Sequence, residues 1–407
     1  MGQRIFFLIA AAMAMVSAAF AQTVPPKEGP AENGSPAWFL QDSFPDPTGH
    51  TIVDASGHVT VPPRMKPDPL ASDDGIPPCS HSPVCGRRGG FPRAQLERVE
   101  WKQMPGYSFT YPYVLPPGLG GVPSVALDSK GNLWVFQRKP AGMPQLFKFG
   151  PDHKLMLTVG EDVIGHQDKA HGMAVDGADN VWFTDAGNAT VMKLSPEGKL
   201  LQTIGVKGKR GDWDEAKTQR LLWQPVMVAF APRGDIYIAE GHANESPNDV
   251  DSGDPANAIG ASRIIHLDRS GKFIGQWFGD EVGQGKFDSA HGLAVDPRTG
   301  DVWIGDREQY RIVVYSGDGK FLKTLQMRNL VCALNFDPQG NPWMASGQDG
   351  QFLKLNRDGK VLGAIGNGMG IGPGQFTEAS YWSFDARGDL YAGDTSVGRV
   401  TVIVAPH

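Results

Sequence analysis

One pattern of apolar and polar positions recurs six times along the later part of the chain. Each copy begins with a short apolar run that ends in Asp in five of the six copies; a turn with Gly or Asn follows, then a second run that alternates apolar and aromatic residues. Alternation with a period of two predicts β-strands, and the polar turn between the runs predicts a hairpin. The copies begin at Val125, Met173, Val228, Leu293, Leu334 and Trp382.

Two further strands are predicted after a hairpin, as at Val191–Leu194 and Leu200–Ile204 in the second copy. The intervals between successive copies are 48, 55, 65, 41 and 48 residues. A unit of about 40–50 residues with four strands is typical of a β-propeller. The sequence therefore predicts an all-β fold, a six-bladed β-propeller preceded by an N-terminal Pro-rich arm.

The sixth copy lacks a fourth strand of its own, because the chain ends soon after the strand at Val400–Val404. An unpaired edge at that point would leave the ring open. We expect the missing strand to come from the region Gln95–Phe109, with Leu96–Trp101 as the first choice.

The residues before the propeller divide into two segments. Residues 1–21 have a basic Arg4, an apolar run of about 12 residues and a small-residue ending at Ala19–Ala21, which predicts a secretory signal peptide. The run is shorter than the ~20 residues that cross a bilayer, so we expect a periplasmic or secreted protein without a membrane span. Residues 22–94 are predicted to form an extended Pro/Gly-rich arm and residues 95–407 the propeller; residues 22–93 hold 14 of the 32 prolines.

Composition supports this interpretation and excludes several classes of protein. The 407 residues are 40% hydrophobic and 20% charged, which suits a large folded core. The 52 glycines and 32 prolines favour many short strands over a helix bundle. With 38 basic and 44 acidic residues the formal charge is -6, which argues against a nucleic-acid partner.

The cysteines and one acidic insertion leave alternatives open. Cys79 and Cys85 are predicted to form a small disulfide loop in an oxidising compartment, and a metal knuckle with His81 is the alternative. Cys332 is predicted to be a buried thiol. The insertion between Asn244 and Ser262 carries three Asp residues; a solvated acidic loop is favoured over a calcium site.

The propeller topology brings two sets of positions to one mouth of the central tunnel, because the start of the first strand and the end of the second lie at the same edge of a blade. The positions two residues before each copy are Pro123, His171, Val226, His291, Cys332 and Ser380. The positions just after each second strand are Arg138, Ala186, His242, Arg307, Ser346 and Thr395.

Three imidazoles at one mouth predict a metal site. His171, His242 and His291 together provide the ligand set that zinc prefers; the alternative is that each is a hydrogen-bonded structural residue. Arg138 and Arg307 are predicted to bind a substrate carboxylate. Their alternative role is a salt bridge to one of the strand-end acids, which are Asp185, Glu240, Asp306 and Asp394.

The sequence around these positions is similar to that of a known enzyme family, and the similarity extends over about Gly121 to Pro406. His171-Gly-Met-Ala-Val-Asp, His291-Gly-Leu-Ala-Val-Asp and the stretch that follows Gly305 resemble peptidyl-α-hydroxyglycine α-amidating lyases, which are six-bladed propellers of the NHL type. The resemblance implies that His171 and His291 bind zinc and that Arg138 and Arg307 are active-site arginines. It also implies that the backbone carbonyls of Val125 and Met173 bind a structural calcium.

The chain departs from the family at two places. The third zinc histidine and the calcium-binding Asp of the family fall on Ser380 and Tyr381, and the catalytic Tyr of the family falls on His242. His242 therefore either completes a three-histidine zinc site, which leaves no obvious base, or acts as the base; the alternative is that the site binds metal weakly or not at all.

Taken together, the motifs predict an exported, zinc-dependent carbon–nitrogen lyase. Its substrate is expected to be a small molecule or a peptide C-terminus, and the protein is expected to be a monomer. The alternatives are a non-catalytic NHL propeller that binds a protein or glycan, and another metal-assisted lyase or hydrolase.

Overall fold

The computed structural model describes most of the chain from Trp101 onward. The described residues are 52–53, 59–60, 101–116, 119–138, 142–167, 169–241, 262–279, 286–287, 289–327, 330–347, 350–368, 372–376, 378–395 and 397–406. The predicted signal peptide, the disulfide between Cys79 and Cys85, the acidic insertion and His242 lie outside them. Among the described residues, no helix has the length and apolar character needed to cross a membrane.

Six antiparallel sheets of four strands form a six-bladed propeller, as predicted. Before it, β1 (Ile52–Val53) pairs with β2 (Val59–Thr60), and β3 (Ser108–Thr110) follows. Blade 1 is formed by β4 (Ser124–Leu127), β5 (Leu133–Phe136), β6 (Leu146–Phe149) and β7 (Leu155–Val159). Blade 2 is formed by β8 (Ala170–Val175), β9 (Val181–Asp185), β10 (Thr190–Leu194) and β11 (Leu200–Gly205).

The other four blades repeat this order, with β12 (Trp213–Asp214) and β13 (Gln219–Arg220) pairing between blades 2 and 3. Blade 3 is formed by β14 (Pro225–Phe230), β15 (Ile236–Glu240), β16 (Arg263–Leu267) and β17 (Phe273–Trp277). Blade 4 is formed by β18 (Ala290–Val295), β19 (Val302–Asp306), β20 (Arg311–Tyr315) and β21 (Phe321–Gln326). Blade 5 is formed by β22 (Ala333–Phe336), β23 (Pro342–Ala345), β24 (Phe352–Leu355) and β25 (Val361–Ile365). Blade 6 is formed by β26 (Trp382–Phe384), β27 (Leu390–Asp394), β28 (Val397–Val404) and β3. The helix α1 (Glu161–Ile164) joins blades 1 and 2.

Between neighbouring blades, the apolar positions of the repeats form six hydrophobic clusters, each lying mainly between two adjacent blades. The second strands carry aromatic residues into these clusters, and Trp134, Trp303 and Trp343 are fully buried there. The alternating apolar residues of the repeats therefore provide the contacts between neighbouring blades around the ring.

The ring is closed by β3, which pairs antiparallel with β28 through Phe109 and Ile403. This strand lies within the predicted region Gln95–Phe109 except for its last residue, but the first choice, Leu96–Trp101, is wrong. Trp101 instead packs in the cluster between blades 4 and 5. The next residues run along the outer edge of blade 5, where Met104 N donates to Ala364 O at 2.8 Å, so the chain reaches blade 6 only after passing blade 5.

Phe109→Asp should open this closure. Phe109 is half-buried in the cluster between blades 5 and 6, so a carboxylate there should lower the free energy of unfolding by about 3 kcal/mol or more. Val114→Asp, at a side chain that is 74% exposed, is the matched control and should change it little. Equal effects in denaturant titrations would show that β3 does not close the ring.

The face opposite the mouth is held by a repeated arrangement of Asp, Trp and Lys. In blade 5 the Asp337 carboxylate accepts from Asn341 Nδ2 at 2.9 Å and from Trp343 Nε1 at 3.1 Å. Lys354 Nζ lies 3.4 Å from the same carboxylate and 5.4 Å from the centre of the Trp343 ring. Blade 2 has the same arrangement at Asp176, Trp182 and Lys193. The hairpin turns that the sequence predicts therefore also anchor the second and third strands of their blades.

These interactions predict how stability depends on pH. Burial raises the pKa of Asp337, but hydrogen bonds from Asn341 and Trp343 and the charge of Lys354 outweigh it, so its pKa is lowered on folding. A lowered carboxyl pKa gives stability that is present above the unfolded value of about 3.9 and lost as pH falls through the folded value. Asp337→Asn should therefore cost about 1–2 kcal/mol at pH 7 and much less at pH 3. Asp358→Asn, at an exposed position of the same blade, is the control; a cost for Asp337→Asn that does not change with pH would contradict this account.

Candidate functional site

Two histidines meet at the mouth of the tunnel, one from blade 2 and one from blade 4. His171 and His291 are the second residues of β8 and β18, and in both strands a register shift of the pairing with the next strand falls there. Such bulges re-aim side chains. Both residues are buried, and their ring centroids are 4.7 Å apart with the planes at 69°. The structure therefore brings together two of the three predicted metal-binding histidines.

A carbonyl of the next blade orients each imidazole. His171 Nδ1 lies 3.0 Å from Val226 O, and His291 Nδ1 lies 2.5 Å from Cys332 O. A carbonyl oxygen only accepts, so Nδ1 is the protonated nitrogen in both rings. In a neutral ring with this tautomer, Nε2 carries the lone pair that a metal ligand needs.

The geometry of this pair fits a shared metal ion. Two imidazoles bound to one zinc at 2.0–2.1 Å with tetrahedral angles have ring centroids about 5 Å apart, close to the observed separation of 4.7 Å. The described residues hold no group of three or more His, Cys, Asp or Glu that could bind a metal. A third His, Cys, Asp or Glu ligand would have to come from outside the described residues, and the predicted ligand His242 is one of the residues outside them.

His291 is a neutral imidazole at physiological pH. Burial lowers its pKa to about 3, and the positive charges of Arg307, Arg138 and Lys169 act in the same direction, while the Cys332 carbonyl opposes them. A histidine with so low a pKa cannot serve as a general acid or base near pH 7. It remains available as a ligand.

Both predicted arginines lie at this mouth. Arg307 is 2% exposed, and its Nη2 lies 3.4 Å from Glu378 Oε1. Arg138 Nε donates to Ala170 O at 3.0 Å, one residue before His171. The two guanidinium groups therefore approach the histidine pair from blades 1 and 4.

The strand-end acids have partners within their own blades. Asp185 accepts from the backbone amides of Lys169, Gly187 and Asn188 and from Asn188 Nδ2. The other three form ion pairs at the start of the third strand: Glu240 with Arg263 at 2.6 Å, Asp306 with Arg311 at 2.8 Å and Asp394 with Arg399 at 3.2 Å.

Three residues of the mouth were not assigned a role from the sequence. Lys169 is 4% exposed and precedes Ala170 and His171. Glu378 lies in the connection before blade 6 and reaches Arg307. Tyr381 lies at the start of blade 6, with its ring centroid 5.5 Å from that of His171 and 5.7 Å from that of His291. Lys169 and Glu378 lie just outside the repeated positions, so comparison of the six copies could not single them out.

The remaining predicted positions lie in the inner strands. Val125 in β4 and Met173 in β8 are buried, and Met173 N donates to Ser124 Oγ at 3.0 Å, which joins blades 1 and 2. Cys332 is a buried thiol, as predicted. Its Sγ lies 4.0 Å from Glu378 Oε1.

Comparison with known proteins agrees with the propeller repeat and gives enzymes among the relatives. The NHL repeat family model matches residues 287–315, within blade 4. Peptidyl-glycine alpha-amidating monooxygenase of Mus musculus is 29% identical over 297 residues, which cover 64% of this chain and 27% of that protein. Peptidyl-alpha-hydroxyglycine alpha-amidating lyase 1 of Drosophila melanogaster is 26% identical over 234 residues, 50% of this chain and 39% of that protein.

The match therefore spans less than half the length of either relative. Among solved structures, a streptogramin B lyase superposes with a TM-score of 0.51 at 11% identity, covering 73% of this chain and 97% of that one. At that identity the likeness concerns the fold alone. The chain is thus a six-bladed β-propeller in which one stretch matches the NHL repeat model, and amidating lyases are among its relatives.

Proposed function

We propose that this chain is an exported lyase that cleaves the carbon–nitrogen bond of a C-terminal α-hydroxyglycine, giving an amide and glyoxylate. The observation that carries the proposal is the buried pair of imidazoles with ring centroids 4.7 Å apart, approached by Arg138 and Arg307. The similarity to the fly protein, whose name states this activity, supports it.

His171 and His291 would hold a zinc ion through Nε2, with His242 as the third ligand. Bound zinc would polarise the substrate hydroxyl and lower its pKa. The donor set fits this ion because both imidazoles are oriented through Nδ1 by carbonyls from the next blade.

Arg307 and Arg138 would bind the substrate carboxylate. A guanidinium forms two parallel hydrogen bonds to a carboxylate, and burial of Arg307 strengthens them because water is excluded. Glu378 pairs with the Arg307 guanidinium and would hold this side chain in place before the substrate carboxylate binds. Lys169 adds a third positive charge near His291. The mouth therefore favours an anionic substrate.

The reaction balances with one proton transfer to the leaving group. A base takes the hydroxyl proton, the C–O bond becomes the carbonyl of glyoxylate, and the electrons of the C–N bond leave with the amide nitrogen, which takes up a proton. The low pKa of His291 excludes it as this base. His242 is the candidate if water or another residue completes the metal site.

Calcium binding at the carbonyls of Val125 and Met173 stays a prediction. The oxygen donors expected at this place do not favour it. Calcium takes six to eight oxygen ligands, often from carboxylates, and the position of the calcium-binding Asp in the resemblance is Tyr381. The hydroxyl of Tyr381 already donates to His291 O at 2.6 Å.

The proposal is tested with N-benzoyl-α-hydroxyglycine as substrate. The purified protein should release benzamide and glyoxylate in equal amounts, lose this activity after zinc is removed with dipicolinate, and regain it with one zinc per chain. A protein that binds no zinc and releases no glyoxylate would contradict the proposal and favour a non-catalytic propeller that binds a protein or glycan.

Export and a monomeric state belong to the same proposal. Cell fractionation should place the protein outside the cytoplasm with a mature N-terminus at Gln22, and light scattering should give the mass of one chain. Recovery from the cytoplasm with Met1 intact would contradict export.

A further inference from the structure

Blades 2, 4 and 6 differ at the start of their inner strands, where the resemblance places a zinc-binding histidine. In blades 2 and 4 a glycine follows the histidine, as Gly172 and Gly292. Gly172 is required because a Cβ there would overlap the carbonyl oxygen of Val226. In blade 6 the same two positions are Ser380 and Tyr381, so a phenol ring stands where the other two blades have no side chain.

The Tyr381 ring reaches the histidine pair. It is 2% exposed and lies parallel to the His291 ring, with an angle of 8° and centroids 5.7 Å apart. Its edge meets the His171 ring at 5.5 Å and 64°. Blade 6 therefore contributes an aromatic surface against both rings in place of a third imidazole.

The hydroxyl group of Tyr381 binds the main chain at His291. Oη donates to His291 O at 2.6 Å and lies 3.3 Å from His291 Nδ1. His291 N donates to Ser289 O at 2.8 Å, so the bulge at the start of β18 is held at both its amide and its carbonyl. Together with the Cys332 carbonyl, these contacts fix the direction in which His291 Nε2 points.

We propose that Tyr381 is a positioning residue that orients His291 as a metal ligand; this inference rests on the proposed zinc site. The residue acts through hydrogen bonding and stacking and does not touch the ion. Partners of this kind usually change metal affinity by 10- to 100-fold.

The test compares Tyr381→Phe with Tyr237→Phe. Tyr237 is also buried, and its hydroxyl also donates to a carbonyl, Gly317 O at 2.8 Å, but on the face opposite the mouth. Both changes remove one buried hydroxyl and keep the ring. In competition with a chromophoric chelator, Tyr381→Phe should weaken zinc binding by about 10- to 100-fold, whereas Tyr237→Phe should stay within about twofold of the wild type. Equal zinc affinities of the two variants would overturn the inference.

A second measurement on metal-free protein separates this inference from the zinc proposal. With ¹⁵N-labelled histidine, the wild type should show His291 as the neutral Nδ1-protonated tautomer with a slowly exchanging proton. Tyr381→Phe should speed that exchange by tenfold or more, and Tyr237→Phe should leave it unchanged. If the wild type binds no zinc, the proposed function fails and the exchange rates still decide the role of Tyr381. Unchanged exchange in Tyr381→Phe would show that the residue only packs.

Discussion

His291→Ala should abolish stoichiometric zinc binding and lower kcat/KM for glyoxylate release by about 10³-fold, which corresponds to about 4 kcal/mol of transition-state stabilisation. The imidazole is one of the two proposed zinc ligands among the described residues, and a methyl group has no lone pair with which to replace it. Zinc content of the purified variant and its rate of glyoxylate release are the two measurements.

His266→Ala is the matched control for this change. His266 is also buried, but it pairs with Asp235 at 3.1 Å and stacks on Tyr237 in blade 3, on the face opposite the mouth. Removal of the His266 ring should lower the free energy of unfolding. The variant should still bind one zinc per chain, and its kcat/KM should stay within about threefold of the wild type. If His291→Ala keeps its zinc and its activity, the mouth is not the catalytic site.

Arg307→Met should lower kcat/KM for the carboxylate substrate by about 10²- to 10³-fold, because loss of one partner of a buried charged pair costs about 2–5 kcal/mol. Arg307→Lys should recover only part of the loss, since an ammonium group cannot form the paired hydrogen bonds of a guanidinium. The measurement compares N-benzoyl-α-hydroxyglycine with its methyl ester, which carries no charge. The wild type should prefer the acid strongly, and Arg307→Met should lose most of that preference.

Arg311→Met is the control of the same residue type and burial. Arg311 pairs with Asp306 at 2.8 Å inside blade 4, so its removal should lower the free energy of unfolding but keep the preference for the acid over the ester. A preference that survives in Arg307→Met would show that another group binds the carboxylate.

The blades could be predicted from the sequence because their determinants repeat. The hairpin in blade 2, for example, is the predicted pair of runs from Met173, and the structure has β8 and β9 there. The closing strand does not belong to any copy, and Ser108–Thr110 has few apolar residues to mark it. The position of this strand depends on the contact between the preceding residues and the outer edge of blade 5. No local sequence pattern predicts that tertiary contact.

The site could be predicted in part for the same reason. His171 and His291 share one sequence context, so comparison of the copies found both. The partners of the strand-end acids were missed although a pattern existed: Asp306 and Arg311, like Asp394 and Arg399, are five positions apart in the sequence. Tyr381 was noticed only as a departure from the family, because its role depends on a contact across the tunnel with another blade.

Anomalous diffraction from crystals of the zinc-loaded protein, measured on both sides of the zinc absorption edge, tests the metal centre most directly. The account predicts one strong peak at the mouth, about 2.0–2.1 Å from Nε2 of both His171 and His291, with His242 as a further ligand. A zinc-loaded crystal with no peak between these two rings, or with a peak bound elsewhere, would contradict it.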